Sequence, residues 1–261
     1  MNMKKACNSV ILLLTAFVCL VKINAAELYE IKNGGALFME PVGAYISMKW
    51  HTPDGIYEGF GKQDGNGIYA AWGPAAWYGL IVYEIEQDGS ISGVSAKRES
   101  SDALITGQME KLRLVKRPEG ETDQFCGKFS ITGITYSESH NTGQISYSGI
   151  LNVSKQNDIY NLKWTAVGKE GAKFFGVGLR RGNKLGVAWG GDNDNYGIVD
   201  YRTSDKNPKS LIGRYINFSH AKIDTEIITK IESSGNRESL LNEFQKYKPK
   251  AIDQPWSSVP A

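Results

Sequence analysis

Two stretches of the chain share one pattern: GFGKQDGNGIYAAWG at residues 59–73 and GVGLRRGNKLGVAWG at residues 176–190. Each begins with two glycines around one apolar residue, passes through a polar Gly-Asn turn and ends in an apolar run closed by Trp-Gly. Short apolar runs joined by such turns are typical of paired antiparallel strands. The chain therefore repeats a β-forming sequence.

The repeat continues on both sides of these stretches. Met48–Trp50 matches Leu162–Trp164 upstream, and Tyr78–Tyr83 matches Tyr196–Tyr201 downstream. The separation between matched residues grows from 114 to 120 along the chain, but it changes only between apolar runs. Loops tolerate insertions better than strands do, so the insertions indicate where the turns lie. Two copies of one β design account for the 236 residues after residue 25.

The apolar runs are short, rich in aromatic and β-branched residues, and separated by turn signals such as Pro53-Asp54-Gly55. They predict an all-β fold of two tandem antiparallel up-and-down meanders of about eight strands each, barrel-like because closure removes exposed sheet edges. The predicted strands are Ala44–Trp50, Ile56–Gly61, Ile68–Trp72 and Tyr78–Ile85 in the first copy, and Phe129–Tyr136, Ile145–Val153, Ile159–Val167, Lys173–Leu179, Leu185–Trp189, Tyr196–Tyr201, Leu211–Asn217 and Thr225–Lys230 in the second.

Comparison of the two copies indicates which face of a strand points inward. Ile81 and Tyr83 correspond to Val199 and Tyr201, whereas Val82 corresponds to Asp200. Because side chains alternate across a strand, the face that stays apolar in both copies is predicted to be the core face. The same alternation places Met48 with Trp50 on one face, and Ile68, Ala70 and Trp72 on another shared face.

The first 25 residues have the pattern of a secretory signal. Lys4 and Lys5 precede an apolar run from Val10 to Val21 that is too short to span a bilayer, and Ala25 is a small residue suitable for cleavage. Without this segment the chain has 27 Lys and Arg against 28 Asp and Glu, which gives no basic field for nucleic acid. The sequence thus predicts a protein that is exported, periplasmic or secreted, with no membrane span.

The predicted division of the chain is a signal peptide at 1–25, a first β-repeat domain at 26–118, a second at 119–232, and a C-terminal helix with a flexible tail at 233–261. Asn236 is a suitable helix N-cap and Pro249 a suitable stop. We expect the helix to pack on the second barrel, with a partner-binding helix as the alternative. Its apolar face consists of Leu240, Leu241, Phe244 and Tyr247.

Residues that could carry chemistry are few and scattered. Cys126 is the one cysteine outside the signal, and we expect it to be a small buried hydrophobe. His51, His140 and His220 lack metal-ligand spacing and are expected to lie in or beside loops. No nucleophile elbow of the G-x-S-x-G type occurs. The sequence predicts neither a cofactor nor a catalytic constellation, although an enzyme of unknown class stays open.

Two further patterns admit a functional and a structural interpretation. The segment from Gly190 to Gly197 has clustered Asp and Asn oxygens, which suit calcium, but Tyr196 and Thr203 occupy positions where an EF-hand loop needs oxygen ligands. A turn rich in Asn and Asp is the favoured interpretation. The glycines at 59, 61 and 65 resemble a phosphate loop, but no helix follows them. They predict bends or close strand approach.

The motifs Tyr78-Gly79-Leu80-Ile81-Val82-Tyr83-Glu84-Ile85 and Asp88-Gly89-Ser90-Ile91-Ser92-Gly93 resemble a repeat in small secreted bacterial proteins often labelled fibronectin-binding-like. The resemblance covers most of both copies and consists mainly of glycines and aromatic residues, which specify a fold more than an activity. It implies an exported β-domain with an adhesive or matrix-binding role. It implies no catalytic residues, and the duplication and the C-terminal helix depart from the usual single copy.

Matched aromatic residues are the candidate functional side chains. Large rings that point into a small barrel usually fill it, but a barrel that keeps a cavity could bind a small apolar ligand. Trp77 has no aromatic counterpart in the second copy, and it is the candidate surface anchor for a partner. The matched residues are Trp50, Trp72 and Tyr83 in the first copy and Trp164, Trp189 and Tyr201 in the second.

These observations favour a non-enzymatic, exported bacterial envelope protein that binds a protein or matrix partner through its surface. The alternative is a lipocalin-like carrier of a small apolar ligand in a barrel cavity. The two differ in what they require: the first needs exposed aromatic residues such as Trp77 outside filled barrels, whereas the second needs a cavity.

Overall fold

The computed structural model describes residues 23–32, 34–53, 55–65, 67–73, 78–97, 108–136, 143–167, 171–191, 196–218, 223–231 and 236–247. This part of the chain forms sixteen strands and one helix. In chain order they are β1 (Glu27–Ile31), β2 (Ala36–Val42), β3 (Tyr45–Thr52), β4 (Gly55–Asp64), β5 (Gly67–Gly73), β6 (Tyr78–Ile85), β7 (Ile91–Lys97), β8 (Gln108–Lys116), β9 (Gly127–Tyr136), β10 (Gly143–Gln156), β11 (Ile159–Val167), β12 (Ala172–Arg181), β13 (Lys184–Gly190), β14 (Gly197–Thr203), β15 (Ser210–Asn217), β16 (Asp224–Lys230) and α1 (Arg237–Gln245).

The strands close into two eight-stranded antiparallel barrels, which confirms the predicted fold class. Barrel A has the strand order β1-β16-β15-β14-β5-β4-β3-β2, and barrel B has the order β10-β11-β12-β13-β6-β7-β8-β9. No helix in the described part of the chain is long and apolar enough to cross a lipid bilayer.

The barrels exchange strands between the two sequence copies. The first copy contributes β1–β5 to barrel A and β6–β8 to barrel B, while the second copy contributes β9–β13 to barrel B and β14–β16 to barrel A. Four ladders join the copies. Two of them link β1 to β16 and β8 to β9. In the other two, which are equivalent, Trp72 of β5 lies opposite Gly197 of β14, and Trp189 of β13 lies opposite Gly79 of β6. Each barrel is therefore a composite of both copies.

This exchange corrects the predicted domain boundaries at 26–118 and 119–232. Barrel B is one continuous segment from β6 to β13, and barrel A consists of the strands on either side of that segment. A repeat shows which strands are alike, but it does not show whether β5 pairs with β6 or with the equivalent strand of the other copy. The two barrels therefore cannot be separated at residue 118.

The predicted core faces are confirmed inside both barrels. Ile81 and Tyr83 are buried in barrel B, and Val199 and Tyr201 are buried in barrel A. Met48 and Trp50 share the interior of barrel A with Ile68, Ala70 and Trp72. Period-two alternation thus assigns the inward face correctly even though the strands come from different copies.

A second apolar layer lies between the barrels. The rings of Phe60 and Tyr78 stack at 5.9 Å, and those of Tyr196 and Phe218 stack at 4.7 Å. The Tyr78 hydroxyl donates a hydrogen bond to the Glu58 carbonyl at 3.0 Å, and the Tyr196 hydroxyl donates to Phe175 at the same distance. Each tyrosine stands at the start of an exchanged strand and bonds back to the barrel that the chain has just left. These two hydrogen bonds therefore tie the beginning of each exchanged segment to the other barrel.

A buried charge cluster lies beside this layer. Asp200 is fully buried and accepts hydrogen bonds from Arg181 at 2.8 Å, Arg214 at 3.0 Å and Arg202 at 3.1 Å. Arg181 extends from barrel B and also reaches Asp64 of barrel A at 3.2 Å. The face opposite Val199 and Tyr201 is therefore buried as well, and the Val82-to-Asp200 difference marks an ion-pair site between barrels.

The C-terminal helix packs on barrel A, so the expectation that it packs on the second barrel is wrong. Phe244 stacks on His51 at 3.8 Å and lies 5.8 Å from Phe38 of β2. His51 is thus a buried strand residue, and its Nδ1 lies 3.2 Å from the Phe244 carbonyl oxygen. The predicted cap is confirmed, because the Asn236 side chain accepts a hydrogen bond from the Ser239 amide. Pro249 lies outside the described residues.

Apolar side chains from outside the strands complete the core of each barrel. Ile23 is buried in the core of barrel A, and its amide donates a hydrogen bond to Gln63. A cut after Ala25 would leave that position unfilled. In barrel B, Phe125 and Cys126 are buried at the core, as predicted for the cysteine. Burial raises the pKa of the Cys126 thiol to about 11, so the thiol stays protonated at neutral pH.

Strand exchange can be tested by cross-linking. Glu84 of β6 lies opposite Lys184 of β13, and antiparallel partners have a Cα spacing that suits a disulfide. We expect the double variant Glu84→Cys/Lys184→Cys to form this disulfide under mild oxidation, measured by mass spectrometry of a non-reduced digest. The single variant Glu84→Cys is the control. Barrels formed separately by each copy would keep the two thiols apart and both open to alkylation.

The charge cluster is expected to be a large contributor to stability. Asp200→Asn would leave the partly buried Arg181 without its closest carboxylate, at a cost of about 3 kcal/mol in the free energy of unfolding. Urea denaturation measures this value. Asp158→Asn is the control, because Asp158 is 79% exposed in its ion pair with Lys155 and is expected to change stability by less than about 1 kcal/mol. Equal effects of both variants would contradict the assignment.

Candidate functional site

A cavity of about 230 Å³ lies at one end of barrel A. Strands β1, β3, β5 and β15 end there, and β4, β14 and β16 begin there, because neighbouring antiparallel strands alternate in direction. The cavity therefore draws residues from both sequence copies. Its lining consists of Ile31, Gly34, Trp50, Thr52, Pro53, Tyr57, Trp72, Val199, Tyr215, Thr225 and Glu226.

Four aromatic rings form much of the cavity wall: Trp50, Tyr57, Trp72 and Tyr215. Tyr57 and Trp72 meet edge to face at 5.4 Å with an interplanar angle of 89°. Such a T-shaped pair holds both rings in fixed positions. An aromatic wall with few polar groups is the usual composition of a small-molecule pocket.

Glycines make room for the two indoles. A Cβ at position 59 would lie 2.8 Å from the Trp50 ring, and a Cβ at position 197 would lie 2.3 Å from the Trp72 ring. The same pairs recur in barrel B, where Trp164 covers Gly176 and Trp189 covers Gly79. The glycines at 59 and 61 are therefore sites of close approach, as the sequence predicts, rather than parts of a phosphate loop.

A chain of hydrogen bonds crosses the barrel beneath the cavity. The Trp50 indole Nε1–H donates to the Tyr201 hydroxyl at 3.0 Å, and that hydroxyl donates to Glu226 Oε1 at 2.7 Å. Trp50 comes from the first copy, and Tyr201 and Glu226 come from the second, so strand exchange brings these groups together. The chain of bonds fixes one carboxyl oxygen and leaves the other without a partner among the described residues.

Burial raises the pKa of both the Glu226 carboxyl and the Tyr201 phenol. Desolvation raises the pKa of the Glu226 carboxyl, and the hydrogen bond from Tyr201 opposes this change. The pKa of the fully buried Tyr201 phenol is well above its usual value, mainly through desolvation and secondly through Glu226. Tyr201 therefore remains a neutral donor, and Glu226 is a carboxyl group whose charge is costly without a partner.

Barrel B contains counterparts of several residues of the site, and one of them is replaced. Tyr83, Trp164 and Trp189 lie in its interior, and Phe174 replaces Tyr57 in an edge-to-face contact with Trp189 at 5.4 Å. The Trp189 Nε1–H is buried and has no hydrogen-bond partner in the described part of the chain. Strand register places Glu110 opposite Gly93, as Glu226 lies opposite Gly213 in barrel A.

The structure thus divides the predicted aromatic residues into two groups. Trp50 and Trp72 line the cavity of barrel A, and Tyr201 lies directly beneath it. Tyr83, Trp164 and Trp189 contribute to the core of barrel B. Trp77, the candidate surface anchor, lies outside the described residues, as do His140, His220 and residues 192–195 of the Asp- and Asn-rich turn.

Among the aromatic and charged side chains of the lining, sequence reasoning missed Tyr57, Tyr215 and Glu226. Strand register matches Glu226 with Glu110 in the last strand of the first copy, but their separation of 116 residues departs from the 120 of the preceding matches, so the sequence alone carries no signal for Glu226. Tyr57 matches Phe174 at the same separation as the quoted motifs, so a position that stays aromatic in both copies was visible. Tyr215 has no comparable signal.

A larger groove of about 890 Å³ lies on the outer surface of barrel B. Exposed polar and basic side chains such as Lys116, Lys128 and Lys163 line it together with Phe175. Exposed lysines hold a ligand less specifically than buried aromatic rings do. The cavity of barrel A is therefore the better candidate site.

Comparisons with known proteins do not assign the chain to a family. No protein-family model matches the sequence, and no curated protein or solved structure matches it. Within the described residues, no group of three His, Cys, Asp or Glu side chains is placed to hold a metal ion. The candidate site therefore rests on its own geometry.

Glu226 is expected to make stability depend on pH. Its folded-state pKa is raised, so the folded protein binds more protons than the unfolded chain, and stability falls as pH rises from about 4.3 through the folded pKa. The other ionisable side chains that line the cavity are Tyr57 and Tyr215, and Tyr201 lies beneath them with a pKa well above its usual value.

Glu226→Gln should remove this part of the pH dependence, since an amide carries no charge to desolvate. Urea unfolding between pH 5 and pH 8 measures the difference, with the exposed Glu119→Gln as the control. A decline with pH that is equally steep in the wild type and in Glu226→Gln would show that the carboxyl is not desolvated.

Proposed function

We propose that the chain is an exported binding protein that holds a small organic molecule in the cavity of barrel A. The observation that carries the proposal is the aromatic lining of that cavity, in which Trp50, Tyr57, Trp72 and Tyr215 border a space of about 230 Å³ that is open to solvent on one side. Apolar rings supply most of the binding free energy in such pockets, and a few polar groups orient the ligand. Thr52, Thr225 and Glu226 are the polar lining groups.

The size of the cavity limits the size of the ligand. A volume of 230 Å³ lies below the range of about 300 to 1,000 Å³ that is usual for drug-sized pockets. The part of a ligand that the cavity holds is therefore smaller than a drug-sized molecule. A compound with one ring or one compact branched group meets this limit.

Export and adhesion remain predictions from the sequence. Residues 1–22 and Trp77 lie outside the described part of the chain. The matrix-binding role rests on the resemblance to fibronectin-binding-like repeats. The small-molecule proposal depends on neither, because it uses only side chains inside barrel A.

A binding screen with matched variants tests the proposal. Calorimetry of the purified chain with a panel of neutral, cationic and anionic compounds of up to ten non-hydrogen atoms should give saturable binding for at least one of them. Trp72→Leu should weaken that binding about tenfold, because it removes an aromatic wall worth about 1 to 1.5 kcal/mol.

The repeat supplies the control for this screen. Trp189→Leu removes the equivalent indole from barrel B and should leave the affinity within about twofold, since additive behaviour is expected for distant sites. Thermal unfolding of both variants shows whether each is folded. The proposal is wrong if no compound of the panel binds saturably, or if the two variants weaken binding equally.

A further inference from the structure

The described lining of the barrel A cavity contains a negatively charged side chain and no positively charged one. Among the described residues, Glu226 is the only carboxyl group in the lining, and no Lys, Arg or His joins it there. No described cationic side chain forms an ion pair with it either, in contrast to Asp200, Asp64 and Asp123, which each have basic partners. The cavity therefore contains one acidic group whose countercharge the described residues do not supply.

The hydrogen bond from Tyr201 fixes one oxygen of the Glu226 carboxyl group. The phenol donates to Oε1 and supplies no positive charge, because a phenol is neutral when protonated and anionic when deprotonated. The second carboxyl oxygen receives no hydrogen bond from the described residues. A donor on a bound molecule could reach this oxygen without displacing any protein group. Glu226 is thus held in place on one side and free to accept on the other.

The aromatic rings around Glu226 also favour a positively charged ligand. The faces of Trp and Tyr rings attract cations through their quadrupole, most strongly where water is excluded. Trp50, Tyr57, Trp72 and Tyr215 line the cavity together with Glu226. Both the rings and the carboxylate are thus electrostatically complementary to one class of ligand.

We propose that the ligand of the barrel A cavity is a small organic cation, either a primary amine or a quaternary ammonium compound, that pairs with Glu226 among the four aromatic rings. The inference rests on the proposed small-molecule function and names its ligand class. A cation supplies the missing countercharge and offsets the cost of desolvating the carboxylate. A neutral ligand leaves that cost in place, and an anion is repelled.

Matched pairs of cation and neutral isostere test the inference. The probes are choline against 3,3-dimethylbutan-1-ol and benzylamine against benzyl alcohol, which differ in charge but little in shape. At pH 8 the cation of at least one pair should bind at least tenfold more tightly than its neutral partner, by calorimetry or by quenching of tryptophan fluorescence. Glu226→Gln should reduce that ratio to about two or less, while Glu110→Gln, the register equivalent in barrel B, should leave it unchanged.

The outcomes separate this inference from the proposed function. Equal affinities within both pairs, or a preference that survives in Glu226→Gln, overturn the cation assignment and leave small-molecule binding intact. If neither cation binds while a neutral compound of the wider panel does, the cation assignment fails alone. Failure of the whole panel overturns both. Unchanged affinity of Glu226→Gln for the neutral partner, with an unfolding temperature at pH 8 no lower than that of the wild type, shows that the cavity of that variant is intact.

Discussion

The pairing of β5 with β14 and of β13 with β6 is the constraint on which the rest of this structure depends. A sheet edge that stays unpaired exposes backbone donors and acceptors, and closure of a barrel removes every such edge. In this chain neither barrel can close with strands from one copy in the observed order, because each copy contributes five strands to one barrel and three to the other. The hydrogen bonds of Tyr78 and Tyr196 and the buried Asp200 cluster lie where the two barrels meet, and the cavity draws its lining from both copies.

The candidate site follows from the same exchange. Trp50 belongs to a strand of the first copy, whereas Tyr201 and Glu226 belong to strands of the second, yet they form one hydrogen-bonded chain. One glycine that makes room for an indole also comes from the other copy, since Gly197 of β14 accommodates Trp72 of β5 across the joining ladder. The two barrels differ at one of these positions: both have the indoles and the glycines, but barrel B has Phe174 where barrel A has Tyr57.

Much of the fold could be predicted from the sequence because strand periodicity is a local property. All eight strands of the second copy and the inward faces of Met48, Trp50, Ile81 and Tyr83 follow from alternation and turn chemistry. In the first copy β1, β2, β7 and β8 were not predicted, since their apolar residues are interrupted by Pro41, Gly93 or charged residues.

Strand partners could not be predicted, because matching repeats fit a tandem and an exchanged arrangement equally well. The docking of α1 on barrel A has the same origin: the helix follows β16 in sequence, and β16 belongs to the barrel that begins at β1. Glu226 was missed because a lone glutamate in a strand carries no motif.

The exchanged topology also has a consequence for biosynthesis. Strands β1–β5 leave the ribosome first, but their closing partners β14–β16 follow only after all of barrel B has been made. Long-range pairing of this kind is slow, and an open five-stranded sheet exposes edges on which chains aggregate. The nascent protein must therefore be kept from premature association until its last strands arrive. In this polypeptide the barrel that is begun first is completed last.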